Sequence, residues 1–236
     1  MSKIRSSALL GPLLILLLAG WTAQTYSLKR VTKIGDSAKY KVTMDVAFGD
    51  LEYKTTSISD LKVVRVDDDG TFTAQTVQKD TKIKIKGVAD EMTTPDSDAT
   101  TATRRANGEL VSINGEKIDA TSYRLDALYA FRAPDSPVKV GDKWSYESKA
   151  DAKTGAVSGK ADFELMSIDK VGIWEAAKIK WTYRETEGAD PASSDGTLWI
   201  DTKDGALVKC EGKLKSAPLR DAPRPVDFSF TVERLP

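Results

Sequence analysis

The chain has 236 residues, carries 35 lysines and arginines against 35 aspartates and glutamates, and contains no histidine. The lack of histidine excludes Ser-His-Asp triads, Cys-His pairs, His-ligated zinc and acid-base catalysis by imidazole. The balanced charge gives no electrostatic reason to expect nucleic acid or an anionic membrane surface as a partner. We predict a protein that is not an enzyme, with no catalytic residues, no cofactor, no metal site and no nucleic-acid partner.

Residues 1–25 have the order of a secretory signal peptide. Basic residues precede a leucine-rich run over 8–19, and smaller, more polar residues follow it. This run is shorter than the roughly 20 apolar residues that a membrane-spanning helix needs. We therefore predict export, with cleavage near Gly20 to Ala23 and a periplasmic or secreted mature chain. No cysteine follows the run, so we expect neither a lipid anchor nor an integral membrane segment in the mature protein.

A repeated Gly-Asp element divides the rest of the chain into two halves. Gly35-Asp36 recurs as Gly141-Asp142, and each pair opens a stretch of alternating apolar and polar residues. Such alternation predicts half-buried antiparallel strands. Gly permits a tight bend and Asp caps it, so we interpret the element as the start of a strand and not as a ligand site. The predicted units span 29–133 and 134–236 and share one sheet.

Turn signals separate the predicted strands in both halves. The alternation over 40–48 predicts the first strand, and that over 226–232 predicts the last. Asp69-Gly70 and Val171-Gly172 stand at equivalent places and predict hairpin turns. Residues 88–103 are polar and poor in strand-forming residues, so we predict an exposed loop there.

One helix is predicted between the halves, near 121–132, with Thr121 or Ser122 as its N-cap. Its apolar side is formed by Leu125, Leu128 and Tyr129. A helix this short is marginal alone, so its apolar side must be covered, and the concave face of a sheet is the expected partner. We predict an all-β, mainly antiparallel fold: an internally duplicated curved sheet or partly open β-barrel with one short helix between the halves.

Residues 137–144 resemble a mid-chain element of exported bacterial β-proteins of unknown function. They read Pro137-Val138-Lys139-Val140-Gly141-Asp142-Lys143-Trp144. The resemblance covers this run and the general layout, and it implies no catalytic residues. Members that are lipoproteins carry an anchoring cysteine, which this chain lacks. The layout is also loosely similar to the lipoprotein-carrier fold, a curved half-barrel with helices on its concave side.

Aromatic residues on both faces of the second half provide candidate ligand contacts. Trp174 and Trp181 are an odd number of residues apart in one predicted strand and therefore project to opposite faces, and Trp199 is out of phase with its neighbours Leu198 and Ile200. Large exposed apolar patches are uncommon on free monomers, so the face outside the core is covered by the helix and loops, by an apolar ligand or by a protein partner. The candidate ligand-binding residues are Leu125, Leu128, Tyr129, Trp174, Trp181 and Trp199.

Other candidate sites have simpler interpretations. Asp67-Asp68-Asp69-Gly70 lacks the later ligands of a calcium loop and is interpreted as a hairpin tip. Arg104-Arg105 is interpreted as a solvated strand edge with its side chains on opposite faces. The single cysteine, Cys210, is in register with apolar neighbours and is expected to be buried. No acid stands alone within an apolar strand face in a way that predicts a raised pKa.

These patterns favour a non-catalytic exported binding protein. Its concave apolar face would receive a lipid-like ligand or a hydrophobic segment of an envelope protein. The alternative is a structural or protein-interaction domain of the cell envelope, which has no small-molecule ligand and pairs through exposed strand edges. A third hypothesis, a hydrolase with paired carboxylates, stays open because the chain has many acids.

Overall fold

The computed structural model describes residues 24–129, 131–220, 222 and 224–236. The described residues form twelve strands and one helix: β1 (Ser37–Phe48), β2 (Leu51–Val66), β3 (Phe72–Ile85), β4 (Glu91–Thr93), β5 (Thr100–Arg104), β6 (Leu110–Asn114), α1 (Ala120–Tyr129), β7 (Lys143–Ser148), β8 (Gly159–Val171), β9 (Trp174–Glu185), β10 (Ser193–Asp201), β11 (Leu207–Ala217) and β12 (Val226–Arg234). All strands belong to one antiparallel sheet of order β6-β5-β3-β2-β1-β12-β11-β10-β9-β8-β7, with β4 beside β3. The sheet is curved and open, which confirms the predicted fold class.

The predicted signal peptide lies almost wholly outside the described residues, which begin at Gln24. Within the described segments, no helix has the length and apolar character needed to cross a membrane.

The first and last strands join the two halves of the chain at the middle of the sheet. β1 pairs with β2 on one side and with β12 on the other, so that Met44 lies opposite Phe230 and Val46 opposite Phe228. The regular alternation of both strands explains this position, because each presents one continuous apolar face. The two predicted units therefore share one sheet.

The first Gly-Asp element is a turn that precedes β1 and is hydrogen-bonded to β2. The N–H of Gly35 donates to the Val63 carbonyl (2.9 Å), and the N–H of Val63 donates to the Asp36 carbonyl (2.8 Å). Asp36 Oδ2 accepts hydrogen bonds from the Lys33 N–H (2.9 Å) and the Thr32 hydroxyl (2.8 Å). Gly35 has a φ of 92°, a left-handed conformation that favours glycine. These hydrogen bonds lower the pKa of Asp36, with the Lys33 N–H as the largest cause.

The second Gly-Asp element precedes β7 and repeats the backbone hydrogen bonds of the first, here to β8. The N–H of Gly141 donates to the Leu165 carbonyl (2.8 Å), and the N–H of Leu165 donates to the Asp142 carbonyl (3.0 Å). Asp142 Oδ2 accepts from the Lys139 N–H (3.0 Å), and Gly141 has a φ of 94°. The element thus starts a strand in each half, as its composition predicts.

The main core lies over the second half, on the side that α1 covers, which we call the inner face. Its centre is Trp181, whose indole ring occupies space left by two glycines, Gly196 and Gly212, on the neighbouring strands. A Cβ atom at either glycine would overlap this ring. The Phe230 ring meets Trp181 edge to face, with centroids 6.4 Å apart. The fully buried side chains around it include Leu128, Leu165, Ile179, Leu198, Ile200 and Leu214.

Two sequence predictions for the connecting segments are wrong. Residues 88–103 are not one exposed loop, because Glu91–Thr93 and Thr100–Arg104 both pair with β3. The threonines that make this segment polar are also good strand formers, which composition alone did not separate. The predicted helix is present as Ala120–Tyr129, close to the expected 121–132, but its N-cap is Asp119 and not Thr121 or Ser122, because the Asp119 carboxylate accepts from the Ser122 N–H (3.1 Å).

Candidate functional site

Two ion pairs hold α1 over the inner face. On one side, the Arg124 guanidinium donates to both carboxylate oxygens of Glu185 at the end of β9 (2.8 and 2.7 Å). Glu185 is buried and also accepts from the Ala192 N–H (2.7 Å). On the other side, Asp126 forms an ion pair with Arg104 of β5. Residues two apart on a helix project about 200° apart, so the helix is tied to both halves of the sheet.

Glu185 is a buried acid that the sequence analysis did not single out. Glu185 follows Trp181 and Tyr183 at every second position of β9, and all three side chains are buried. The alternation of β9 extends to Glu185 and could have identified its position on the inner face. What it did not reveal was the partner, Arg124, which lies 61 residues away.

The N-terminal segment that precedes β1 also belongs to the fold. Tyr26 and Val138 exchange backbone hydrogen bonds (2.7 and 3.0 Å), and the N–H of Arg30 donates to the Ala106 carbonyl (2.7 Å). Leu28 lies between these points and is only 2% exposed. The segment therefore covers part of the inner face next to α1.

A cavity of about 350 Å³ remains between these covering segments and the sheet. Its wall is formed mainly by the first half of the chain, β1, β2, β3 and β5, and is completed by the adjoining ends of β10 and β11. The apolar lining residues are Leu28, Leu61, Val63, Phe72, Ala74, Ala102, Ala106, Phe131, Leu198, Ile200 and Leu207. The short helix packs on β9 and β10, in the second half of the chain. The inner face of the first half has only a small buried cluster, Val63, Phe72 and Ala74, so a cavity remains there.

Seven polar side chains line this cavity, and three of them are charged. Arg30 forms an ion pair with Asp204 (3.0 Å), and Arg104 with Asp126. Among the described residues that line the cavity, Asp126 is the only acid. The remaining polar lining residues are Tyr40, Thr76, Asn107 and Tyr129.

Both cavity tyrosines are uncharged at neutral pH. Desolvation of the phenol raises the pKa of Tyr129, and the nearby negative charge of Asp126 raises it further, while 37% of the residue's surface stays exposed. Burial also raises the pKa of Tyr40, while the positive charges of Arg234 and Arg30 oppose the increase. The Tyr129 ring contacts Phe230 edge to face at 5.6 Å, which orients it beside the core.

Of the six ligand-binding residues predicted from the sequence, Tyr129 lines the cavity and the other five do not. Leu128 and Trp181 are fully buried in the core, and Leu125 packs partly buried against it. The carbonyl of Leu128 also accepts a hydrogen bond from the Ser194 hydroxyl of β10. These residues seat the helix and fill the core.

The other two predicted tryptophans pair with cations. Trp199 lies between the ammonium groups of Lys178 and Lys209, which are 5.6 and 5.4 Å from its ring centroid. It is out of phase with the buried Leu198, so it projects from the opposite, outer face, as predicted. The Trp174 ring lies 5.3 Å from the Arg234 guanidinium, next to a surface groove at one end of the sheet.

Arg104 is the cavity residue that the sequence interpretation placed wrongly. The prediction that adjacent Arg104 and Arg105 point to opposite faces is correct, since Arg105 is exposed and pairs with Glu109 (3.1 Å). Arg104, however, is not on a solvated edge, because β6 covers that side of β5 and Asp126 reaches it from the helix. No local pattern marks this pairing, and only the docked helix creates it.

Cys210 lies in the core of β11 and is 2% exposed, which confirms its predicted burial. Burial raises the pKa of its thiol to about 12. In the described part of the chain, no three cysteine or acidic side chains cluster closely enough to hold a metal ion. The protein matches no protein-family model, and no curated protein matches its sequence.

Proposed function

We propose that this protein is an exported, non-catalytic binding protein whose inner-face cavity receives a lipid-like ligand. The supporting observation is an apolar cavity that the protein's own helix and N-terminal segment leave unfilled. Its volume of about 350 Å³ lies near the lower end of the usual range for ligand pockets, roughly 300–1,000 Å³. A single short acyl chain or a similarly small apolar molecule matches that space.

The sheet architecture supports binding on the inner face. Ion pairs on both sides of α1 fix the helix as one wall, and the walls from β2, β3 and β5 are regular strands. Rigid walls lower the entropy that a ligand must overcome on binding, because the site is formed in advance. Export by the N-terminal signal is part of the same proposal, and intact-mass measurement of the secreted chain should find a start near Gly20 to Ala23.

Filling the cavity is the direct test. Ala102 lines it from the middle of β5, so Ala102→Phe places a ring in the ligand space. Thr101→Phe is the matched control, because the adjacent residue of the strand projects to the other face. Displacement of a fluorescent apolar probe by medium-chain fatty acids should be at least about tenfold weaker in Ala102→Phe.

Two results would oppose this proposal. Equal ligand affinity in Ala102→Phe, Thr101→Phe and the native chain would show that the ligand binds elsewhere. Absence of any probe or fatty-acid binding to the native protein would leave the cavity without a ligand function. Circular dichroism and urea unfolding of both variants establish that they remain folded.

The open sheet edges favour the second candidate, an interaction domain of the cell envelope. Within the described chain, β6 and β7 each have a strand on one side only, and Val111 of β6 is 54% exposed. An exposed edge offers backbone hydrogen bonds to a strand of another protein. A stoichiometric partner from envelope fractions that is lost in Val111→Lys, together with no ligand in the cavity, would favour this function.

A further inference from the structure

Arg132 is a buried cation that lacks a carboxylate partner within the described structure. The residue is 8% exposed, and no ion pair between described residues includes it. Its Nη1 donates to the carbonyls of Gly108 (2.6 Å) and Phe131 (3.2 Å), and its guanidinium lies 5.2 Å from the centre of the Tyr146 ring. Its Nε is buried and has no hydrogen-bond partner among the described residues. Arginine is rarely buried without an acid, so the carbonyls and the ring compensate this charge only in part.

The Gly108 carbonyl connects Arg132 to the cavity. Gly108 lines the cavity, and its carbonyl oxygen accepts from Nη1 of both Arg132 (2.6 Å) and Arg104 (3.3 Å). The backbone can approach this closely because Gly108 has a φ of 90°, and a Cβ atom there would overlap the Phe131 carbonyl. Two positive charges therefore meet at one oxygen atom of the cavity wall.

The acids near the cavity do not balance these charges. Asp126 is the only acid among the described lining residues, and both of its carboxylate oxygens already bind Arg104. Arg30, the third cation at the cavity, is balanced by Asp204 (3.0 Å). With Arg132 included, these five groups have one positive charge in excess. Burying an uncompensated charge is unfavourable, and an anionic ligand would remove the imbalance.

Arg104 provides a place where an anion can bind. A guanidinium group has five N–H donors, and Arg104 directs three hydrogen bonds at Gly108 and Asp126. Its side chain lines the cavity and is 25% exposed. A carboxylate matches the planar, forked donors of arginine better than most anions of its size. Two carboxylates, one of them from the ligand, would then face two arginines.

We propose that the ligand carries a carboxylate group, which binds Arg104 at the cavity wall and is balanced by the positive charge of Arg132. The inference rests on the proposed binding function and adds the chemical class of the ligand, an apolar chain with a carboxylate at one end. The apolar residues of β2, β3 and β5 surround the chain. Arg132 acts through its charge from behind Gly108, because charges interact strongly where water is excluded.

The test compares octanoate with methyl octanoate at neutral pH by displacement of a fluorescent apolar probe, because only the first has an ionised head group. Arg132→Met removes the charge and keeps a long side chain, whereas Arg132→Lys keeps the charge. Arg105→Met is the matched control, since it removes the same charge from an exposed residue that pairs with Glu109 and does not line the cavity. Circular dichroism and urea unfolding establish that the variants keep the native fold.

We expect the native chain to bind octanoate about tenfold more tightly than methyl octanoate. Arg132→Met should weaken octanoate binding about tenfold and change methyl octanoate binding by less than about twofold. Arg132→Lys should retain most of the affinity for octanoate, and Arg105→Met should match the native chain with both ligands.

Equal affinity of the native chain for the two ligands, or tighter binding of the ester, would overturn the inference while the binding function stands. This comparison uses no variant and so does not depend on how Arg132→Met folds. A parallel loss of both ligands in Arg132→Met would also overturn it, because Arg132 would then only shape the cavity. So would an equal loss of octanoate in Arg105→Met. Failure of both ligands to bind the native chain would refute the binding function itself, and the inference with it.

Discussion

Replacement of Arg124 by Met should destabilise the protein through the carboxylate that it leaves behind. The Glu185 side chain is 1% exposed and that of Arg124 is 26% exposed. Removing one partner of a buried ion pair costs about 3–5 kcal/mol, because the other charge stays buried without compensation. Since Arg124 is partly solvated and the Ala192 N–H still donates to Glu185, we expect the lower end of that range, about 3 kcal/mol.

A loss of this size is readily measured. Single domains are stable by about 5–15 kcal/mol, and for a chain of this length 1 kcal/mol lowers the melting temperature by roughly 2–4 °C. We therefore expect the melting temperature to fall by roughly 6–12 °C. Urea unfolding followed by tryptophan fluorescence reports the same change in free energy, because Trp181 is buried in the core.

Arg184→Met is the matched control, because Arg184 precedes Glu185 in the same strand but is exposed. Its effect should stay within about 0.5 kcal/mol. In the double variant Arg124→Met/Glu185→Gln, the buried charge is gone and the amide oxygen can still accept from Ala192, so most of the loss should be recovered. Equal destabilisation by Arg124→Met and Arg184→Met would refute the reasoning, and so would a double variant less stable than Arg124→Met alone.

Three further predictions concern the core and the first turn. Gly212→Ala should lower the free energy of unfolding, measured with urea, by about 1–3 kcal/mol, because the new methyl group overlaps the Trp181 ring. The loss should be smaller in a chain that already carries Trp181→Phe, and additive losses from the two substitutions would contradict this packing. Burial raises the pKa of the Cys210 thiol to about 12, so Cys210 should resist iodoacetamide in the native protein at neutral pH. It should react fully in guanidinium, as followed by mass spectrometry, and rapid labelling of the native protein would contradict its burial. Asp36 has a pKa lowered from 3.8 in the folded state, so its contribution to stability is present above that value and is lost as pH falls through the lower folded pKa. The difference in urea midpoint between the native chain and Asp36→Asn should therefore be largest near neutral pH and shrink in acid, and a constant difference would argue against the Lys33 and Thr32 hydrogen bonds.

The sequence predicted the local elements of this fold well. The alternation in β1 and β12 fixed which side chains share a face, and the Gly-Asp pairs marked where a strand begins in each half. These features depend on near neighbours, because strand period, left-handed glycines and short turns are properties of a few consecutive residues. The segment 88–103 was missed because threonine is both polar and strand-forming.

The candidate site depends on contacts between distant parts of the chain. Tyr129 was identified from helical spacing, but Tyr40 and Arg104 became recognisable only when the helix and the sheet were placed together. The large tryptophans suggested a site in the second half. Instead, Gly196 and Gly212 leave room for the Trp181 ring, which fills the core over the second half of the sheet. The cavity therefore lies over the first half.

The sequence by itself determined the class of fold, the two-fold repetition and the inner or outer side of most strand residues, since each follows from local periodicity. Only the tertiary structure decided where the cavity lies and which acids and arginines meet. Those outcomes depend on how the short helix docks between β9, β10 and β5. Ion pairs such as that between Arg124 and Glu185 decide how the helix docks. These two residues are 61 positions apart in the sequence and lie within hydrogen-bond distance in the folded protein.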